Sequence, residues 1–126
     1  MRYFLDTTFA IDYLRADAPV LRRFERLVAS GDDAYVNEVV VCELATGARA
    51  TDEGGLAAFI HAVEFVQLGP EVAALAGRWR GEARRLGVTI SVPDALIAAA
   101  AEALGATLLT RNVRDFAAMP VVVEAY

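Results

Sequence analysis

Tyr3-Phe4-Leu5-Asp6-Thr7-Thr8 is the stretch on which the fold turns. Three bulky apolar residues in a row are too few for a helix and too unbroken for a half-solvated strand, so they read as a short strand buried on both faces. They close on an acid and two hydroxyls. Thr7 to Arg15 then takes up helical spacing, with Phe9, Asp12, Tyr13 and Leu14 ahead of a break at Asp17-Ala18-Pro19. A buried strand running straight into a helix is the opening unit of a parallel α/β sheet.

The rest of the chain repeats that unit. A helix is expected from Pro19 to Ala29, apolar at Val20, Phe24, Leu27 and Val28, with Arg22, Arg23 and Arg26 on its wet side and a stop at Ser30-Gly31. Ala34-Tyr35-Val36 forms a second strand. Glu38 to Arg49 could be strand at Val39-Val40-Val41, but its length and Ala-rich end favour helix. Leu56, Phe59, Ile60 and Val63 mark a helix over Thr51 to Glu64, followed by a strand at Phe65-Val66-Gln67-Leu68. Pro70 opens a helix carrying Val72, Leu75, Trp79 and Leu86 and closed by Gly87, with Arg78, Arg80, Arg84 and Arg85 as a solvated face. Val88-Thr89-Ile90 reads as strand-like and leads to Pro93 and a helix from Asp94 to Leu104, ended by Gly105. Thr107 to Thr110 is a strand, Asn112 to Ala117 a helical turn, and Val121-Val122-Val123 a last strand. The expectation is one α/β domain over residues 1–126, with a mostly parallel sheet covered on both faces.

Composition narrows the function. At 126 residues, 56% apolar and with a mean hydropathy of +0.39, the chain can bury a core. No apolar run approaches the ~20 residues of a membrane span, and Met1 leads into the first strand without a signal-peptide pattern, which points to the cytoplasm. Cys42 is the only cysteine, so no internal disulfide or thiolate zinc site can form, and it reads as a small buried hydrophobe. His61 is the only histidine. That removes multi-histidine metal sites and leaves a Ser-His-Asp triad without support; the residue reads as partly buried in its helix. All 12 basic residues are arginines. Without lysine there is no Walker A loop, no Schiff-base chemistry and no lysine partner for an aspartyl phosphate. The net charge of −5 argues against nucleic acid. If four acids share one site, however, only −1 is left for the remainder, and a bound divalent cation reverses the local sign.

Open parallel sheets bind ligands at the carboxyl ends of their strands. Asp6 follows the first strand, Asp94 follows Val88-Thr89-Ile90, and Asp115 follows Thr107 to Thr110, so a parallel order gathers three acids on one rim. Glu43, in a helix flanked by Val41, Cys42 and Leu44, can join them. Each acid has a plainer reading: Asp6 as an N-cap, Asp94 as a first-turn acid favoured by the helix dipole, Asp115 as a cap of its short helix, Glu43 as a solvated side chain. Together they point elsewhere, because carboxylates converging at ~4 Å repel by roughly 4 kcal/mol per pair at an effective dielectric near 20. A cation relieves that repulsion, and an all-oxygen set without His or Cys selects Mg²⁺ or Mn²⁺. Such sites hydrolyse phosphodiesters.

At these same residues the chain resembles a known family. Tyr3-Phe4-Leu5-Asp6-Thr7-Thr8, Val41-Cys42-Glu43-Leu44, Pro93-Asp94-Ala95-Leu96-Ile97-Ala98-Ala99-Ala100 and Leu108-Leu109-Thr110-Arg111-Asn112-Val113-Arg114-Asp115-Phe116 are similar, in order, to the PIN domains, and more narrowly to the VapC-type toxins of toxin–antitoxin pairs. The resemblance implies a three-layer α/β/α sandwich and a Mg²⁺-dependent endoribonuclease acting on RNA. It implies that Asp6 and Asp94 ligate the metal, that Glu43 and Asp115 complete the acidic site, and that Thr7, Thr110 and Asn112 support it through hydrogen bonds. Thr8 stands where relatives often carry Ser or Asn. The resemblance further implies a VapB-like antitoxin, whose C-terminal segment would occlude the acidic groove, and a homodimer. Two other readings compete: a catalytically silent PIN-like binding module, against which all four acids argue, and an aspartyl-phosphate phosphatase or receiver domain. The latter is disfavoured by Thr8 in place of a second Asp and by the missing lysine.

Overall fold

The structure, a computed structural model, describes residues 1–48 and 53–126. Its elements run β1 (Arg2–Leu5), α1 (Thr7–Leu14), α2 (Ala18–Ala29), β2 (Asp33–Val36), α3 (Glu38–Gly47), α4 (Glu53–Ala62), β3 (Glu64–Phe65), α5 (Pro70–Arg85), α6 (Val92–Ala103), β4 (Thr107–Leu109), α7 (Val113–Phe116) and β5 (Val123–Glu124). The five strands form one sheet in the order β3-β2-β1-β4-β5, and every neighbouring pair is parallel. The chain first winds outward from β1 to β3 and then crosses to β4 on the other side of β1. Right-handed crossovers place the helices of these two excursions on opposite faces, giving three layers. On one face α1 packs against α2, α3 and α4; on the other α6 lies on β1 and β4 and carries α5.

The core follows the apolar triplets. Phe4 and Leu5 of β1, Val36 of β2 and Leu108 and Leu109 of β4 are fully enclosed, and Phe9, Leu27, Phe59, Ile97 and Phe116 seal them from the helices. The α6 run Ala98-Ala99-Ala100-Ala101 is buried along its length. Its short side chains let α6 approach both the sheet and α5. Ala98→Leu is therefore expected to destabilise the fold by about 1–3 kcal/mol through overpacking, read as a lower midpoint in urea at an unchanged slope. Helix ends are set by local chemistry. Gly87 and Gly105 adopt left-handed φ values of 79° and 62°, with Val88 N donating to Ala83 O and Ala106 N to Ala101 O, the double-bonded termination that glycine permits.

Several expectations need correction. Val88-Thr89-Ile90 is not a strand: it pairs with none of the five strands, and the Ile90 carbonyl accepts from Arg80 Nε instead. The third strand covers Glu64–Phe65 rather than Phe65 to Leu68, because Leu68 N donates to the Glu38 carboxylate. The last strand is Val123–Glu124, not Val121–Val123. Cys42 is exposed rather than buried, since α3 turns Val40 and Leu44 inward and leaves Cys42 on the far side. His61 is exposed as well. Val28 and Leu86 sit at the ends of their apolar stripes and face outward, Leu86 at 83% exposure. Arg23 leaves the wet face to pair with Glu124 at 2.9 Å and to cover the Tyr3 ring, and Arg80 is half-buried against Ile90. The expected helix start at Thr51 and the end at Arg49 lie outside the described residues. Among the described residues no helix is long and apolar enough to cross a membrane.

Candidate functional site

The sheet order reverses between β1 and β4, and there the crossovers leave in opposite directions and open a crevice at the carboxyl ends of the strands. Asp6 is the first residue after β1 and Thr110 the first after β4. The ladder continues one step beyond the strands, with Asp6 N donating to Leu109 O at 3.0 Å, so the two side chains are set next to each other by the backbone.

Asp6 occupies the N-cap position of α1, yet its carboxylate makes no cap hydrogen bond. Its Oδ2 instead accepts from Thr110 Oγ1 at 2.7 Å and from Thr8 Oγ1 at 3.0 Å. Asp6 is only 4% exposed and Thr110 is fully buried, so the acid is held by a scaffold rather than spent on the helix. Thr7 points to the other side of the α1 start and donates to Glu43 Oε1 at 2.6 Å, joining α1 to α3. Glu43 is half-buried, which disposes of the solvated reading.

Asp94 lies in the first turn of α6, and the cap belongs to Ser91, whose Oγ accepts from Asp94 N at 3.2 Å. Burial pushes the Asp94 carboxyl above the usual carboxylate range; the Ser91 contact opposes this, and the charges of Asp6, Asp115 and Glu43 add to it. Four acids separated by up to 109 positions in sequence thus share one electrostatic neighbourhood. Asp115 is the third residue of α7 and exposed, and the cap position of that helix is held by Asn112. Asn112 joins the site through its backbone, its N–H donating to Thr110 Oγ1 at 2.9 Å, and its side chain makes no cap hydrogen bond. Among the described residues no three acidic side chains are already drawn into a closed ligand set. The rim is an open cluster of oxygens, which fits a cation that keeps several waters and takes only one or two carboxylates.

A groove of about 300 Å³ reaches Glu43 alone of the four acids and is lined also by Ile11, Leu14, Arg15, Leu44 and Leu56. The apolar face expected over Leu56, Phe59, Ile60 and Val63 is turned mainly into the core, with Phe59 enclosed and the other three partly buried. Beside the acids lies a set the sequence reading did not assemble. Asp12, buried in α1, accepts from Arg111 Nη1 at 2.8 Å on both oxygens and from the Tyr126 hydroxyl at 2.9 Å. Burial, reinforced by Asp12, pushes the Tyr126 phenol well up, so it stays a donor at ordinary pH. The signal was an acid three residues after Phe9, on the inward stripe of a helix. Thr8 was likewise noted only as a departure from the family pattern, whereas its hydroxyl holds Asp6.

Comparison with known proteins agrees with this fold. The profile of the PIN domain family matches residues 3–122. Ribonuclease VapC19 of Mycobacterium tuberculosis is 34% identical over 122 residues, covering 97% of this chain and 98% of that protein. Among solved structures, VapBC2 from Rickettsia felis, bound to a DNA fragment from their promoter, superposes with a TM-score of 0.90 at 25% identity, over 100% of this chain and 99% of that one. The DNA-bound VapBC of Salmonella typhimurium gives a TM-score of 0.88 at 23% identity, over 99% and 98% of the two chains, and so attests the fold.

Proposed function

Because the chain belongs to the PIN domain family, and to its VapC-type members, we propose that it is a Mg²⁺-dependent endoribonuclease that acts as the toxin of a toxin–antitoxin pair. The observation that carries this reading is the arrangement at the strand ends, where Thr110 and Thr8 hold the buried Asp6 carboxylate and Thr7 holds Glu43. Asp94 stands in the first turn of α6, its carboxyl pushed up by burial and by the charges of Asp6, Asp115 and Glu43. Carboxylates gathered at the switch point of a parallel sheet are poised for a cation. Asp6 and Asp94 would hold it. Both hydroxyl donors to Asp6 fall on Oδ2, so Oδ1 would be the oxygen left to hold it. A bound Mg²⁺ or Mn²⁺ supplies Lewis acidity toward the scissile phosphodiester and the attacking water.

The remaining steps belong to this chain's own groups. Glu43, fixed by Thr7, would accept the proton of the attacking water, Asp115, at the exposed edge of the cluster, would help to orient that water, and the leaving oxygen would take a proton from solvent. Thr110 and Thr8 keep the Asp6 carboxylate from swinging. VapC19 is named a ribonuclease, and the similar VapBC structures are complexes of paired proteins. A VapB-like antitoxin is accordingly the proposed partner, seated along the groove beside Glu43, and the protein is proposed to form a homodimer in the cytoplasm.

Purified protein should cleave RNA with Mg²⁺ or Mn²⁺ present, lose cleavage in excess chelator, and regain it when the metal is returned. The same addition should raise the melting temperature of the metal-free protein. A preparation that melts later with Mg²⁺ but leaves a broad set of cellular RNAs intact would overturn the ribonuclease reading.

A further inference from the structure

Asp12 faces inward from α1 and is 7% exposed, a place where a carboxylate is costly unless paired. It is paired twice. Arg111 Nη1 stands 2.8 Å from both of its oxygens, and the Tyr126 hydroxyl donates to Oδ2 at 2.9 Å. The Tyr126 ring in turn stands edge-on to Phe9, with centroids 4.9 Å apart, so the phenol is fixed by the core. Arg111 is anchored at its backbone as well, its N–H donating to Thr8 Oγ1 at 3.2 Å. This one residue therefore ties the β4–α7 turn to α1 at two points.

What the tie holds is the acidic site. Immediately before Arg111 is Thr110, whose hydroxyl bonds Asp6; after it comes the four-residue helix α7 carrying Asp115. A helix of one turn has too few hydrogen bonds to hold its own position. Besides the burial of Phe116 and the Asn112 N–H bond to Thr110 Oγ1, the Asp12 contact fixes the turn that leads into it. We propose that Asp12 is a positioning residue of the acidic site, acting through Arg111 to hold the turn that carries Thr110 and Asp115, with Tyr126 orienting the Asp12 carboxylate. The inference rests on the reading of those acids as a cation-dependent nuclease centre.

The test uses the full chain as wild type, Asp12→Asn, Arg111→Met, the double variant, and Tyr126→Phe. Arg111 is half exposed and Tyr126→Phe keeps the ring, so these two carry the test if Asp12→Asn does not fold. Three readouts are taken well below the melting temperature: amide exchange over residues 107–117, the Mn²⁺ concentration giving half of the metal-induced melting shift, and kcat and KM for RNA cleavage. Asp12→Asn and Arg111→Met are expected to speed exchange in that segment but not in β2, and to raise the Mn²⁺ requirement and lower kcat by about 10- to 100-fold, the range for groups that orient ligands. KM should stay within about twofold, because such a change removes no ground-state contact. The double variant should be no worse than Arg111→Met alone, since Asp12 works through it, and Tyr126→Phe should move every readout the same way by less.

Faster exchange with an unchanged Mn²⁺ requirement and kcat would make the contact merely structural and overturn the inference. A raised KM at constant kcat in Arg111→Met alone would make Arg111 an RNA contact, and overturn it too. A wild type that responds to Mn²⁺ yet cleaves nothing overturns the ribonuclease reading, and the Mn²⁺ requirement of the variants then decides the positioning role by itself.

Discussion

Asp94→Asn is expected to make the metal-free protein more heat-stable and catalytically inert in one step. Both effects come from the same charge. The Asp94 carboxyl titrates above its ordinary value because it is partly buried and because Asp6, Asp115 and Glu43 surround it. A carboxyl that binds its proton more tightly in the folded chain than in the unfolded one favours folding below the unfolded pKa, and that contribution is withdrawn as the pH rises through the folded pKa. Above that window the metal-free wild type carries the penalty of the ionised carboxyl, and the neutral amide carries none. The melting temperature of Asp94→Asn should exceed that of the wild type at pH 7, and the difference should shrink towards pH 4, where the carboxyl in the wild type takes up its proton. Adding Mg²⁺ should reverse the order, since the wild type gains a ligand that the variant lacks.

The catalytic cost is much larger than the gain in stability. A cation at a reacting phosphate is worth several kcal/mol of transition-state stabilisation, and at 1.36 kcal/mol per decade its loss amounts to about a thousandfold in cleavage rate. Thermal melts of metal-free protein between pH 4 and 8, with cleavage assays on the same preparations, test both halves. An Asp94→Asn protein less stable than wild type at pH 7 without metal would show that the acids around Asp94 do not repel it, and the proposed cation site would lose its main support.

How much of this was legible beforehand differs by the range of the interaction. Tyr3-Phe4-Leu5 and Leu108-Leu109 read correctly as central strands because burial on both faces demands unbroken apolar runs, and that demand is local. The parallel order, whose strand ends share a rim whatever their distance in sequence, accounts for Asp6 after β1 and for Asp115 beyond β4, whereas Asp94 follows no strand and comes from the first turn of α6. The edges were read less well. Val88-Thr89-Ile90 has the residues of a strand but pairs with no strand of the sheet, and Arg80 takes up the Ile90 carbonyl instead. The Glu38 contact ends β3 early in the same way. Both are tertiary contacts of polar side chains, which leave no period in the sequence. The Asp12–Arg111 pair spans 99 residues; its single local trace is a charge on an apolar helix face, and that trace names no partner. Cys42 and His61 were misjudged for a related reason: average burial by residue type gave way to the direction each helix had to face to bury Val40, Leu44 and Phe59.

Asp6 permits a sharper separation of charge from scaffold than any other position. Its Oδ2 accepts from Thr110 and Thr8 in a nearly sealed site. Asp6→Asn keeps an oxygen for those hydroxyls and removes the charge. Asp6→Ala removes both, and leaves the enclosed Thr110 hydroxyl without an acceptor at a cost of about 1–3 kcal/mol. The two variants should thus fall together in cleavage, by about a thousandfold on the same cation argument, and part in stability, with Asp6→Ala unfolding at lower urea and Asp6→Asn at or above the wild-type midpoint without metal. Restoring the acid as Asp6→Glu should recover little, because one extra methylene displaces the carboxylate from hydroxyls that stand 2.7 and 3.0 Å away and from the geometry Mg²⁺ demands. Cleavage by Asp6→Asn above a tenth of the wild-type rate would mean that the buried carboxylate serves the fold alone, and that the cation, if one binds, is held by the outer acids Asp94, Glu43 and Asp115.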